Sequence, residues 1–371
     1  MRLPLFDRRC IARAAVLAAL LALAHLPAAS AGDHAAVETR EAGCDPHEGL
    51  NFICGPEGSE DLVALPGALW LIASGLNLGH PAHLYLIDTR SKRASVGFPS
   101  PGATPPSAAA TSHCPGPPDL SRMSTDGLGL RAGAAGVHTL YAANHGDRLA
   151  IEMFRVDARG ARPKLEWQDC ALLPPGTLPN AVVPLPDEGL LVTTFYDPTD
   201  RAAWQHMARG ERTGRILTWR PAAGFRTLTG SEMSGANGLE TSRDGRLVYA
   251  SAWSARKLVV LSLEGGERRE IALDFMPDNI HRLEDGSLLV GGQRTEVLKI
   301  AACGAGPCPQ PWVIARVDPR SGAVRTLLTR DGSPQINYAC GGLSVNREIY
   351  LTARGSRAIA YVRADPLTDA K

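Results

Sequence analysis

NGLETSRDG at Asn237–Gly245 and DNIHRLEDG at Asp278–Gly286 share one layout: a polar residue stands seven positions ahead of an Asp-Gly pair. Each Asp-Gly reads as a hairpin turn, and an apolar run follows it, RLVYASAW at 246–253 and SLLVGGQ at 287–293. The layout recurs along the chain. Glu60 stands seven ahead of Gly67 (EDLVALPG), Asn180 seven ahead of Asp187 (NAVVPLPDEG), Asp126 leads DGLGLRAG and Cys340 leads CGGLSVNR. The matching runs are ALWLIASG (68–75), HTLYAANH (138–145), GLLVTTFY (189–196) and EIYLTARG (348–355).

Behind several of these runs comes a further alternating segment and turn, as in HLYLIDTRSKR, KLVVLSLEGGE and WVIARVDPRSGAV. Helical periodicity is scarce, so the unit reads as short antiparallel strands joined by turns. Six such units predict an all-β, six-bladed β-propeller, because a lone blade cannot bury both faces of its sheet. A β-sandwich would not explain six copies of one offset. Residues 32–56 precede the first repeat and are expected to supply an outer strand that closes the ring. The Pro/Gly-rich piece 99–119 reads as a long inter-strand loop, either lining a site mouth or an exposed excursion.

Residues 1–31 read as a signal peptide: Arg8, Arg9 and Arg13, then AAVLAALLALAHL, then Ala29-Ser30-Ala31. The apolar run is shorter than the roughly 20 residues that span a bilayer, and no later segment is long and apolar enough to do so. That leaves 32–371 as one exported domain, periplasmic or secreted. The chain carries a net charge of +1; removing four arginines and one aspartate with the leader takes it to −2. No basic stripe interleaved with aromatics is present, which argues against nucleic acid. Of the cysteines beyond the leader, Cys44–Cys54 and Cys303–Cys308 are sequence-local disulfide candidates, Cys114–Cys170 is a third pairing that spacing does not support, and Cys340 is the candidate free thiol.

Innermost strands of a propeller run along its axis, so the offset residues converge there. Glu60, Asn180, Asn237 and Asp278 offer side-chain oxygens and two negative charges, with Asn279 adjacent as a fifth candidate ligand. Oxygen-only ligands favour Ca²⁺ or Mg²⁺, with Mn²⁺ as a fallback. Taken singly, each motif has a plain reading: Asn237-Gly238 as a tight turn, Asp278-Asn279 as a loop pair, Glu60-Asp61 as a solvated acidic patch. The shared offset is what overrides these.

Segments 58–76, 138–157, 234–263 and 275–292 resemble, in order, segments of the paraoxonases, which belong with the gluconolactonases, senescence marker protein 30 and strictosidine synthase-like proteins. The resemblance covers most of 55–360. It implies a six-bladed propeller with a catalytic Ca²⁺ held by Glu60, Asn180, Asn237, Asp278 and Asn279, and hydrolysis of a small-molecule ester or lactone by a monomer. His145 in ANHGD matches one histidine of the family's proposed dyad, whereas Asp126 stands where the family has the other. Asp61 matches one acidic ligand of the family's structural Ca²⁺, but Ala181 replaces the second, so that ion is not expected. The general base is then His145 oriented by Asp126, or Asp126 itself, unless Asp126 is a further ligand. The competing class is a non-catalytic ligand-binding propeller or a strictosidine synthase-like protein.

Overall fold

The structure, a computed structural model, describes residues 44–76, 79–99, 114–304 and 306–364. The leader and residues 100–113 of the Pro/Gly-rich piece lie outside the described residues. Six four-stranded antiparallel sheets follow one another along the chain. Their first strands are Leu62–Ala64, Thr125–Arg131, Pro179–Pro184, Ala236–Thr241, Met276–Arg282 and Ala339–Val345. Each packs on the first strand of the blade before it and the blade after it, the sixth returning to the first. Those six strands therefore wall the axis, as the repeated offset predicts.

Blades carry apolar residues on both faces. Leu190–Thr194 is buried at every position, as is Leu288–Gln293, and such strands are stable only when covered on both sides. The six blade-to-blade interfaces each hold their own core. Phe154 meets Leu86 and Phe98 between the first and second blades, Val290 meets Val260 between the fourth and fifth, and Ile53 and Tyr350 meet Ile87 between the sixth and first.

The ring closes by strand exchange between the ends of the chain. Asn51–Cys54 adds as the outer strand of the last blade, antiparallel to Ala358–Arg363, with Phe52 opposite Ala360 and Ile53 opposite Ile359. This is the closing strand expected from residues 32–56, and the Cys44–Cys54 disulfide lies beside it. Cys303–Cys308 is also bonded. Cys114–Cys170 forms too, a pairing its spacing did not signal: the ring brings Cys170 of the second blade's outer strand against Cys114, which precedes that blade. Cys340 is the free thiol and is buried.

Each unit has four strands, of which the outermost is weakly patterned in sequence; Arg268–Ala272, for example, is exposed at four of five positions. Two short helices, α1 (Ala203–Ala208) and α2 (Val297–Cys303), interrupt the strand pattern and pack on each other. Beneath them Met207, Val297 and Ile300 join Trp253, Met276 and Tyr338 in a separate cluster.

Close approach of neighbouring inner strands dictates glycine at two places. A Cβ on Gly238 would lie 2.2 Å from the Asp278 carbonyl oxygen, and one on Gly127 would lie 2.5 Å from that of Asn180. The Asn237-Gly238 pair is thus a packing device inside a strand, not a turn. Gly238→Ala is expected to destabilise the fold by about 1–3 kcal/mol through overpacking, read as a lower urea midpoint; an unchanged midpoint would contradict this inter-blade contact.

Candidate functional site

One irregularity aims the offset residues inward. The pairing of first and second strands breaks register between Thr125 and Leu128, between Pro179 and Val182, between Ala236 and Leu239, between Pro277 and Ile280, and between Ala339 and Gly341. Asp126, Asn180, Asn237, Asp278 and Cys340 all fall within these breaks. A bulged residue is left out of the ladder and its side chain is re-aimed. Glu60 reaches the same place from just ahead of Leu62–Ala64, its backbone N–H held by the Ser74 hydroxyl at 3.2 Å.

Six side chains, those of Glu60, Asp126, Asn180, Asn237, Asp278 and Cys340, therefore line one cavity of about 180 Å³. All six are buried. Ligand atoms of Glu60, Asp278 and Cys340 lie within 4.8 Å of one another. Three oxygens at the cavity, Glu60 Oε2, Asn180 Oδ1 and Asn237 Oδ1, are buried without any hydrogen-bond partner. Buried polar atoms are nearly always satisfied, and an unmet acceptor costs about 1–3 kcal/mol. Acceptors gathered around acidic groups in this way form a donor set that could hold a hard cation.

The remaining atoms of the cluster are held in place by neutral donors. Gln293 Nε2 donates to Asp278 Oδ2 at 2.7 Å and to the Ala339 carbonyl at 2.6 Å, while Gln293 Oε1 accepts from Trp253 Nε1 at 2.9 Å. Asn279 differs from the other candidates. Its Nδ2 donates to both the carbonyl oxygen and Oε1 of Glu60, each at 2.9 Å, and it lines a second cavity at the other end of the axial channel. Asn279 thereby fixes the Glu60 carboxylate from behind.

Electrostatics show the strain of this arrangement. Burial, reinforced by the Asp126 carboxylate, pushes Glu60 well above the usual carboxylate range. Asp278 is raised to about 7 by burial and by Asp126, against the hydrogen bond from Gln293. Burial first, then the charge of Asp278, drives up both the Cys340 thiol and the Tyr338 phenol. Carboxylates this close cannot all ionise without a compensating cation.

His145 follows directly on the strand Val137–Asn144. Its Nε2 lies 2.5 Å from the Pro179 carbonyl oxygen and 3.1 Å from Asp126 Oδ2. A carbonyl can only accept, so Nε2 is the donor in this contact, and the neutral tautomer with that proton would carry its lone pair on Nδ1. Asp126 Oδ2 also accepts from Asn180 Nδ2 at 3.2 Å. The His145–Asp126 pair read from the sequence is thus formed, with the ring's orientation set by two acceptors.

Further wall residues were not singled out from the sequence. Leu76, Phe195, Tyr196, Trp204, Tyr338 and Arg354 also border the cavity, with Phe195, Tyr196 and Trp204 in mutual ring contact at 5.5–6.2 Å. A signal for several existed. Second strands end at the same height, so the residue at or just past each apolar run meets the cavity or its support: His145, Phe195, Trp253, Gln293 and Arg354. His206, by contrast, lies on the surface against Glu211.

Asp61 faces the other end of the channel. Its Oδ1 accepts from the Leu62 N–H at 2.8 Å and meets His281 Nε2 at 2.8 Å, while its Oδ2 accepts from the Leu128 N–H at 2.8 Å. Protein donors occupy both oxygens.

Neither protein-family profiles nor curated protein sequences yielded a match. Among solved structures, the chain is similar to a luciferin-regenerating enzyme (TM-score 0.52, 13% identity, covering 84% of this chain and 94% of that one). It is equally similar to a gluconolactonase from Xanthomonas campestris (TM-score 0.52, 14% identity, 85% and 89%). At such identities the likeness shows a shared propeller fold, as the paraoxonase and gluconolactonase resemblance implies.

An acid that holds its proton more tightly folded than unfolded stabilises the fold below its unfolded pKa, and that contribution is lost as pH rises to the folded value. For Asp278 the window runs from the ordinary aspartate value up to about 7, with a slope of at most about 1.4 kcal/mol per pH unit. Glu60 shifts in the same direction. The chelated protein should therefore lose thermal stability from pH 5 to pH 8, Asp278→Asn should flatten the slope, and added Ca²⁺ should restore stability most at the alkaline end. A melting temperature independent of pH across this range would rule out the buried-acid description.

Proposed function

We propose that the protein is an exported, Ca²⁺-dependent hydrolase of small esters or lactones. The observation that carries this reading is the convergence of three unpartnered buried oxygens with the Asp278 carboxylate in one cavity. Glu60, Asn180, Asn237 and Asp278 would hold the ion through hard oxygen donors, which suit Ca²⁺ better than softer metals. When bound, the cation supplies Lewis-acid polarisation of the scissile carbonyl and stabilises the negative charge developing on its oxygen.

Protein groups would do the rest. His145 accepts the proton of the attacking water at Nδ1, because its Nε2–H is committed to Pro179 and Asp126. The Asp126 carboxylate then stabilises the imidazolium and keeps the ring from turning. Gln293 and Asn279 hold Asp278 and Glu60 in register. Phe195, Tyr196 and Trp204 offer an apolar wall that excludes bulk water from the acyl or alcohol portion. A lactone substrate is in keeping with the gluconolactonase among the structural neighbours.

Three disulfides support an oxidising compartment, in keeping with the leader. The small cavity suits a substrate of modest size, handled by a single copy of the chain.

EDTA should abolish turnover of phenyl acetate or of a γ- or δ-lactone, and Ca²⁺ should restore it. Glu60→Gln should lose Ca²⁺ binding by calorimetry while keeping a folded circular-dichroism spectrum. His145→Ala should keep Ca²⁺ yet lower kcat by roughly 10²–10⁴-fold. Turnover that survives exhaustive chelation would overturn the reading, and bound Ca²⁺ without turnover of any ester or lactone would favour the ligand-binding alternative.

A further inference from the structure

Most arginines that are partly withdrawn from solvent in this molecule are committed to partners. Arg148 forks onto Glu152 at 2.7 and 2.8 Å, and Arg131 donates to the carbonyls of Leu185 and Gly189. Arg354 is the exception at the site. It follows the strand Glu348–Ala353, is partly buried and lines the same cavity as Glu60, Asp126 and Asp278. Among the described residues its side chain makes no hydrogen bond and no ion pair with any of those carboxylates. Instead the guanidinium lies over the Tyr338 ring, its carbon 4.5 Å from the ring centroid, and its backbone N–H donates to the Tyr338 carbonyl at 3.1 Å.

A guanidinium stacked on an aromatic face keeps its N–H donors free around its edge, because donation is in-plane and stacking uses the faces. Stacking also fixes the fork before any ligand arrives, so little side-chain entropy is lost on binding. The fork matches the two oxygens of a carboxylate. It lines the same cavity as the acidic cluster and, among the described residues, makes no hydrogen bond or ion pair with it.

We propose that Arg354 is a specificity-determining residue that binds a free carboxylate on the substrate, so that the preferred ester or lactone is anionic. This rests on the hydrolase reading above and names its substrate class. A carboxylate is favoured over a phosphate monoester because the cavity already contains Glu60, Asp126 and Asp278, and a second negative charge would add to that repulsion. The carboxylate would meet Arg354, whose guanidinium lies over Tyr338.

The test compares phenyl acetate with 4-acetoxybenzoate, the same acetyl ester carrying a carboxylate on its leaving group. Arg354→Met keeps an apolar stem over Tyr338 and removes the charge. It should lower the ratio of kcat/KM for 4-acetoxybenzoate to that for phenyl acetate by roughly 10- to 100-fold, mainly through KM. Arg354→Lys should fall between, since it keeps the charge and loses the fork. A ratio unchanged in Arg354→Met would overturn the inference while leaving the hydrolase reading intact. Should neither ester turn over, calorimetric titration of the Ca²⁺-loaded protein with benzoate reads the same contact. Wild type should bind at least about 10-fold tighter than Arg354→Met; equal binding, or none by wild type, overturns the inference.

Discussion

Two-sided burial governs this molecule. Strands such as Leu190–Thr194 and Leu288–Gln293 are covered on both faces, so every blade needs a neighbour before it and another after it. An open stack would leave two apolar faces in water at roughly 25 cal/mol per Å² of apolar area. Closing the ring removes both at once, and the six inner strands are then forced together on the axis. Glycines at 127 and 238 mark how tightly. The site is a by-product of that closure: equivalent positions of all the blades meet at one point because the ring leaves them nowhere else to go.

What meets there is unfavourable by itself. Asp126, Asp278 and Glu60 share a buried pocket with amide oxygens that have no donors. A fold stabilised only for its own sake would place apolar side chains at these positions, as it does elsewhere along the same strands. Stability is being sacrificed at one locality, as it commonly is at functional sites. Neutral donors from Gln293 and Asn279 orient the carboxylates without neutralising them. Charge demand is thereby preserved, and geometry is fixed in advance.

Much of this was legible in the residues. The turn-plus-run pattern gave six units, and the constant offset of Glu60, Asn180, Asn237 and Asp278 placed them on one axis. The pairing of His145 with Asp126 came from the resemblance to the paraoxonases, whose proposed dyad occupies these two positions, and the two side chains do meet. Asn279 was harder: adjacency to Asp278 suggested a shared role, whereas alternation along the strand turns it toward Glu60. The register breaks had no separate signature, because a bulge adds a residue without changing its type. Gln293 and Arg354 carried a weaker signal: each ends or follows a strand, where polar residues are ordinarily solvated, and only the ring brings these ends to the pocket or its support. Tyr338 carried none, standing just ahead of the inner strand Ala339–Val345. Cys114–Cys170 was equally hidden, since its partners are brought together by the second blade and not by proximity in the chain.

The strand Asn51–Cys54 is among the first described residues to be synthesised, yet its hydrogen-bonding partner is Ala358–Arg363. Until the far end of the chain arrives, that segment has no ladder to join and the sixth blade lacks its rim. Roughly three hundred residues must be produced while the nascent protein carries unsatisfied backbone edges, the condition under which β-rich chains aggregate. Completion, and not initiation, is then the hazardous moment in this protein's biogenesis, and truncation by even a single terminal strand should be felt at the chain's other end, where Asn51–Cys54 loses its partner.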